Sequence, residues 1–344
     1  MTRRSATSLT GRVEISHGSG GRSMTRLVEE LFIRHFDNTI LRQGNDFAVF
    51  DVDRAGRIVT SVDGHVVTPL FFPGGDIGSL AVHGTINDIA MAGATPLYLT
   101  AGFILEEGFP LSELERIVIS MADAARKAYV SIVCGDTKVV DRGKGDGVFI
   151  TTTGIGVVAD GIVIAGDRAQ PGDVIIINGT LGDHGVAVMS SRENMSFETT
   201  IESDSAALHT LVATMIEAVP GIHCLRDPTR GGLAATLNEL AQQSGVGMLL
   251  TESVIPVRPA VAAACELLGL DPLYVANEGK LVCICRRADA QRLLAVMQSH
   301  PLGHDAAIIG EVIADESGLV QMTTRLGGKR VVDWLAAEPL PRIC

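Results

Sequence analysis

Four aspartates, Asp46, Asp63, Asp88 and Asp136, stand where strands or helices begin, in the segments GNDFAVF, TSVDGHVV, TINDIAMAGA and CGDTKVV. Oxygen ligands of this kind, with Asn45 and Asn87 beside two of them, suit Mg2+, which keeps part of its water shell and bridges one or two carboxylates to nucleotide phosphates. Singly, each also reads as an ordinary turn or capping aspartate; together they favour a Mg-nucleotide. HGSGGR, from His17 and Gly18 to Arg22, runs into a helix whose entrance can cradle phosphate. It is neither a Walker A loop nor a dinucleotide fingerprint, and a flexible hinge explains it equally well. In DPTRGGLAATLNELA the apolar spacing makes a helix but leaves Asp227 and Arg230 unexplained; Arg230 at the entrance either binds phosphate or pairs with a carboxylate. In ANEGKLVCIC, Glu278 and Lys280 occupy the turn before a strand, where solvation alone would account for them. The chain closes with EPLPRIC. Its prolines stiffen an exposed tail whose residues after Trp334 reach roughly 30 Å at ~3.1 Å each, enough to carry Cys344 into a site or onto a partner. Arg342 beside it favours the thiolate; a frayed end with an accidental cysteine is the plain alternative.

The elements that must position these groups follow from pattern. Met24, Leu27, Val28, Leu31 and Phe32 recur at helical spacing after a polar, glycine-punctuated arm. FAVFDV and RIVTSV, separated by a turn at Arg54–Gly56, suggest a hairpin. A helix after Gly75, a strand near 97–105, a helix after Ser112 and strands near 130–134 and 147–158 complete the first half. DGIVIAGDRAQPGD marks a boundary, after which the strand DVIIIN restarts the pattern. The second half predicts helices near 183–192, 205–218, 231–243, 259–268 and 287–299, with strands near 247–252, 280–285 and 307–313. The fold class is therefore mixed α+β in two domains: an arm and helix over 1–40, an N-terminal domain over 41–160, a C-terminal domain over 161–333 and a mobile tail over 334–344. With 46% apolar but only 4% aromatic residues, its cores must rest on closely packed aliphatic side chains.

The excess of 40 acidic over 28 basic residues disfavours nucleic acid. The absence of a signal-like or membrane-length apolar run makes a cytoplasmic protein without a membrane partner the simplest expectation. Cys134, Cys224, Cys265, Cys283, Cys285 and Cys344 form no CxxC pair and no zinc spacing. Cys283 and Cys285 read as core side chains on one face of a strand.

HGSGGR, GNDFAVF, TSVDGHVV, GGDIGSLAVHGTINDIAMAGATP, GDTKVV, DPTRGG, NEGK and terminal PRIC, in that order along almost the whole chain, resemble the aminoimidazole ribonucleotide synthetase superfamily. Within it, they are most similar to the carbamoyl dehydratases of [NiFe]-hydrogenase maturation. The resemblance implies an N-terminal sheet domain that dimerises, a C-terminal α/β domain, and ATP held between the halves. It further implies that a carbamoyltransferase, HypF, loads the terminal cysteine, and that the chain dehydrates the thiocarbamate to a thiocyanate whose cyanide passes to the HypC–HypD complex. Carried over by position, Cys344 is the acceptor, with Lys138 and Glu278 beside the arriving tail. Asp46, Asp63, Asn87, Asp88, Asp136, Thr137, His17, Gly18 and Arg230 fall at the Mg-ATP site, the four aspartates as metal ligands.

The chemistry agrees with the resemblance. An amide-like oxygen leaves poorly until the γ-phosphoryl of ATP is on it, and the nitrogen must lose protons to a base such as Glu278 while Lys138 offsets phosphate charge. Three other readings remain at this stage: selenophosphate synthesis, disfavoured because HGSGGR offers Ser19 where a cysteine or selenocysteine is usual; a thiamine-phosphate kinase, which has no use for a terminal thiol; and a non-catalytic thiol carrier, disfavoured by the four aspartates with Lys138.

Overall fold

The computed structural model describes residues 9–19, 21–45, 47–52, 54–193, 200–334 and 342–344. After the arm, α1 (Arg22–Leu27) and α2 (Arg34–Phe36) flank a π-wound stretch, Val28–Ile33. In the first half, β1 (Arg57–His65) is followed by a short ladder of β2 (Phe71–Phe72) and β3 (Gly75–Asp76). Then come α3 (Ile77–Met91), β4 (Thr95–Glu106), α4 (Leu111–Lys127), β5 (Ser131–Val140) and β6 (Val148–Val158). The main sheet has the order β1-β6-β4-β5, with only β4 and β5 parallel.

Strand alternation decides what each face of this sheet does. Leu99, Ala101, Phe103 and Leu105 of β4 turn inward, where α4 supplies Leu114, Ile117, Val118 and Met121 at helical spacing. The opposite face is open and carries exposed Ile58, Val62 and Ile104. Asp76 starts α3 by accepting hydrogen bonds from the N–H groups of Gly78 (2.7 Å) and Ser79 (3.1 Å). Helix α3 is buried on nearly every side, so the polar groups it carries at His83, Asn87 and Asp88 need partners within the protein.

The second half contains β7 (Val174–Ile177), α5 (Asp183–Arg192), α6 (His209–Ala218), β8 (Cys224–Arg226), α7 (Gly232–Ser244) and β9 (Gly247–Thr251). It continues with α8 (Pro259–Leu268), β10 (Val282–Cys285), α9 (Arg287–Ser299), β11 (Ala307–Ile313), β12 (Val320–Thr323) and β13 (Lys329–Val331). Its seven strands run β13-β12-β9-β11-β7-β10-β8. One face packs on α7 and the other on α6 and α9, which is why VIII of β7 and VCIC of β10 are apolar on both sides. Cys283 and Cys285 sit in the second of these cores, as read from the strand pattern. Helices α5 and α8 cross back: Val186, Ala187, Val261 and Ala264 belong to the same apolar cluster as the first sheet, together with Ile343 near the chain end.

One expectation needs correction. No hairpin forms over 47–62: β1 pairs with β6, while 47–52 has no strand structure. Phe47 and Val49 are exposed there, so the alternating pattern had no buried face to fill; Phe50 packs its ring against Tyr98 at 4.1 Å. Of the expected tail, 335–341 lie outside the described residues, and over 342–344 the chain is docked, with Val67 and Ile343 forming an antiparallel bridge.

Candidate active site

The docked end brings Cys344 into a cavity of about 220 Å3 whose walls come from both halves of the chain. Asp63 and His65 reach it from the inward face of β1, Asp88 from α3, Asp227, Thr229 and Arg230 from the loop after β8, and Glu278 from the turn before β10. The loop has its shape because Gly231 (φ 75°) and Gly232 (φ 60°) are both left-handed, and a Cβ on Gly232 would lie 2.6 Å from Leu273 O. This is the structural reason for the paired glycines in DPTRGG.

The cavity gathers carboxylates with few cations. Asp88 accepts a 2.5 Å hydrogen bond from Ser61 Oγ, yet burial raises its pKa. Asp227 is pushed up to about 7 by burial and by Asp88. Glu278 is only 4% exposed, its Oε1 has no hydrogen-bond partner among the described residues, and its pKa is raised well above the ordinary carboxylate range. Burial is the main cause, followed by Asp227, Asp204, Asp63 and Asp88. His65, held 3.3 Å from Thr152 Oγ1, has its pKa lowered by burial.

Behind the cavity, residues 203–208 staple the halves together. Asp204 accepts the N–H of Glu278 at 3.1 Å and pairs with Lys280 Nζ at 2.8 Å, both side chains nearly buried. Lys280 and Glu278 are therefore interior groups, not solvated turn residues. A Cβ on Gly279 would lie 1.8 Å from Asp204 O, so the turn between them admits no side chain without movement. Asn87, expected to bind nucleotide, is buried and part of this staple: it donates to the carbonyls of Ala206 (3.0 Å) and Glu278 (3.1 Å) and accepts from Leu208 N–H (2.8 Å).

A second group of expected residues lies elsewhere. Asp136 is bound by Lys138 Nζ (2.7 Å) and by the N–H of Thr137 (2.8 Å), and the Lys138 contact holds its pKa low. His17 and Gly18 lie in the one-turn helix Ile15–Gly18; His17 Nδ1 accepts Glu14 N–H at 2.9 Å, and a Cβ on Gly18 would meet Val139 N of β5 at 2.7 Å. Asp136 and Thr137 line a larger groove of about 710 Å3 shared with Phe47 and the helical segment after the arm. Asp46 lies outside the described residues.

The register shows why Lys138 is not beside Cys344 within this chain. Asp63 aligns with Thr152, Ala101 and Gly135 on successive strands, which places β5 roughly 14 Å from β1 at ~4.8 Å per strand. Lys138 aligns with Ile104 on the open face, whereas Asp63 shares the buried face with Thr152. The Arg342 guanidinium forms an ion pair with Asp146 at 2.5 Å.

Sequence reasoning found Cys344, Glu278, Asp63, Asp88 and Arg230 of this cavity. It noted Asp227 without assigning it a role, and it missed His65 in the cavity and Asp204 behind it. His65 follows Asp63 by two residues on a strand, so period-two alternation was a usable signal for it. Asp204 carries no local signal.

Comparison with known proteins fits this arrangement. Residues 44–158 match the model for the N-terminal domain of AIR synthase related proteins, and residues 170–322 match that for the C-terminal domain. The carbamoyl dehydratase HypE of Cupriavidus necator is 66% identical over 335 residues, covering 97% of this chain and 95% of that protein. The chain belongs to the HypE family of carbamoyl dehydratases. A crystal structure of the hydrogenase maturation protein HypE in complex with ATP superposes with a TM-score of 0.93 at 51% identity, covering 96% of this chain and 99% of that one. HypE in a HypE–HypF complex matches with a TM-score of 0.79 at 50% identity, over 90% of this chain and 99% of that one.

Proposed function

We infer that this chain is an ATP-dependent carbamoyl dehydratase of [NiFe]-hydrogenase maturation that acts on a carbamoyl group carried by its own Cys344. The observation that carries the reading is the docking of that residue into the cavity that also holds Glu278, Asp63, Asp88 and Asp227. A thiocarbamate there is covalently attached, so its effective concentration no longer limits the reaction. The carbonyl oxygen takes the γ-phosphoryl of ATP while the nitrogen gives up one proton. The C–O bond then breaks, phosphate leaves, the second nitrogen proton departs and the C≡N bond is complete. The products are a thiocyanate on Cys344, ADP and phosphate.

Glu278 is the base for the nitrogen, placed in the wall of the cavity with an oxygen that no hydrogen-bond donor among the described residues engages. Among the described residues, no three His, Cys, Asp or Glu side chains form a closed metal site. Asp63, Asp88 and Asp227 around an open cavity instead suit Mg2+ shared with nucleotide phosphates. Bound there, Mg2+ would neutralise phosphate charge and offset the repulsion among these carboxylates. Arg230 is the cation at the cavity mouth for the same phosphates.

The protein is further read as a homodimer joined through the open face of its first sheet, where Ile58, Val62 and Ile104 are exposed. Lys138 is on that face, and we assign it to the phosphates of the second copy. HypF is the expected carbamoyl donor, consistent with the HypE–HypF complex of a relative. A HypC–HypD complex would be the cyanide acceptor. No helix among the described residues is long and apolar enough to cross a membrane, and a cytoplasmic location suits such partners.

The test is the mass of the C-terminal peptide after incubation with HypF and a carbamoyl donor, before and after Mg-ATP, with Cys344→Ala as control. A carbamoyl adduct that loses one water on ATP addition is the expected result. Steady ATP hydrolysis with Cys344 unmodified would assign the site to another substrate.

A further inference from the structure

The last three residues are held by more than their strand-like bridge. Val66 N–H donates to Cys344 O (3.0 Å) and Thr68 N–H to Arg342 O (3.2 Å), on one side of the tail. Because carbonyls alternate along an extended chain, Ile343 O points the other way. There it meets His184 Nε2 at 2.7 Å, a fully buried ring on α5.

We propose that His184 is the positioning residue that seats the tail and thereby sets where the Cys344 thiol lies. The ring is oriented by groups outside the tail: Nδ1 is 2.8 Å from Ser203 Oγ, and Phe72 packs edge-on at 5.4 Å. Ser203 is itself fixed, its N–H donating to Pro73 O at 2.8 Å and its Oγ accepting Ser205 N–H at 3.1 Å. The Ile343 carbonyl is an acceptor only, so Nε2 carries the proton and Nδ1 accepts from the Ser203 hydroxyl. Burial lowers the pKa of His184, which agrees with this neutral tautomer. Among the described residues, Ile343 O is the acceptor for Nε2. The ring is thus a preset donor that rewards one register of the tail, in which the Ile343 side chain is buried and Cys344 enters the cavity. A slip by one residue would present the tail's other edge to His184 and turn Ile343 out of the core. Arg192 adds a second hold at the same bend, donating to Thr68 O (2.9 Å) and Arg342 O (2.8 Å).

The role in catalysis rests on the reading of Cys344 as the carrier, whereas the seating of the tail does not, and the experiment separates them. Alkylation of Cys344 by iodoacetamide is followed by peptide mass in the full-length protein without nucleotide, for wild type, His184→Ala, His184→Gln and Ser203→Ala. Losing one such hydrogen bond is expected to raise the His184→Ala rate by about three- to tenfold. Ser203→Ala, which releases the ring but leaves it in place, should give a smaller rise. His184→Gln, whose amide can donate from nearly the position of Nε2, should return close to wild type. Single-turnover dehydration of preloaded thiocarbamate should slow in the same order. The proposal fails if Cys344 in cooperatively melting His184→Ala is alkylated at the wild-type rate, or if His184→Gln behaves as His184→Ala. If His184→Ala does not fold, the Ser203→Ala and His184→Gln rates decide alone. Exposure of the thiol without dehydration by wild type would instead sink the function and leave the seating role standing.

Discussion

The same kind of residue behaves in opposite ways at the two ends of the first sheet. Around Cys344, carboxylates on the buried face crowd one another, and Asp88, Asp227 and Glu278 all have raised pKa values. On the open face, Asp136 is largely solvated, paired with Lys138, and has a lowered pKa. Both regions come from an aspartate within a Gly-rich segment, and strand register alone separates them. A carboxylate motif thus has chemical meaning only once the face and the neighbouring charge are known. The crowded side is built to receive positive charge, whereas the open side already has it.

The comparison can be broken by removing one group from each side. Glu278→Gln keeps the shape of its wall but cannot accept a proton, so dehydration of preloaded thiocarbamate in single turnover should fall by about 10²–10⁴-fold while nucleotide still binds. A rate near wild type would remove Glu278 from the proton path. Lys138→Ala should slow the same reaction by about 10²-fold. Mixed dimers of Lys138→Ala and Cys344→Ala chains should regain activity, because each intact tail then faces an intact lysine. Mixed dimers as inactive as the Lys138→Ala homodimer would place that lysine in its own chain's site or outside the reaction.

Backbone tolerance gives a middle-sized contrast. Gly279→Ala forces a Cβ towards Asp204 O, where only 1.8 Å is available. The resulting shift should cost about 1–3 kcal/mol in denaturant unfolding, as overpacking does. Gly21→Ala, with nothing among the described residues within 4 Å of its Cβ, should change stability by less than about 1 kcal/mol. Equal effects would mean that the staple behind the cavity is softer than its contacts indicate.

The smallest effect is electrostatic. Folding raises the Asp227 pKa from 3.8 to about 7, so between those values the folded chain binds more protons than the unfolded one and stability falls as pH rises. In metal-free protein, Asp227→Asn should remove this slope, so its gain in melting temperature over wild type should grow from pH 5 to pH 8. Mg2+ with nucleotide should narrow that gap by neutralising the carboxylates. A constant gap across pH would place Asp227 outside the crowded group.

Much of this was legible in the sequence because long periodic elements carry their own signal. The helices at 77–91, 111–127 and 232–244 and the strand at 148–158 fall close to their patterns, whereas the strand expected near 130–134 runs over 131–140. The strands at 224–226, 320–323 and 329–331 are too short for a period to show. FAVFDV misled because a β-rich run without a buried face does not pair. In the site, Cys344 and Glu278 stood out from motif order. What stayed hidden depended on distant contacts: the Lys280–Asp204 pair joins residues 76 positions apart, and His184 reaches a carbonyl 159 positions away. Neither spacing leaves a mark on a single sequence, nor does the choice of face that separates Lys138 from Asp63.

The central claim, that ATP activates a carbamoyl oxygen on Cys344 itself, is tested most directly by isotope transfer. Cys344 is loaded with carbamoyl bearing heavy oxygen, Mg-ATP is added for a single turnover, and the released phosphate is analysed by mass. The account predicts that the label appears in inorganic phosphate, in equal amount to the thiocyanate formed on Cys344. Label in water, or unlabelled phosphate released alongside an unchanged thiocarbamate, would contradict it.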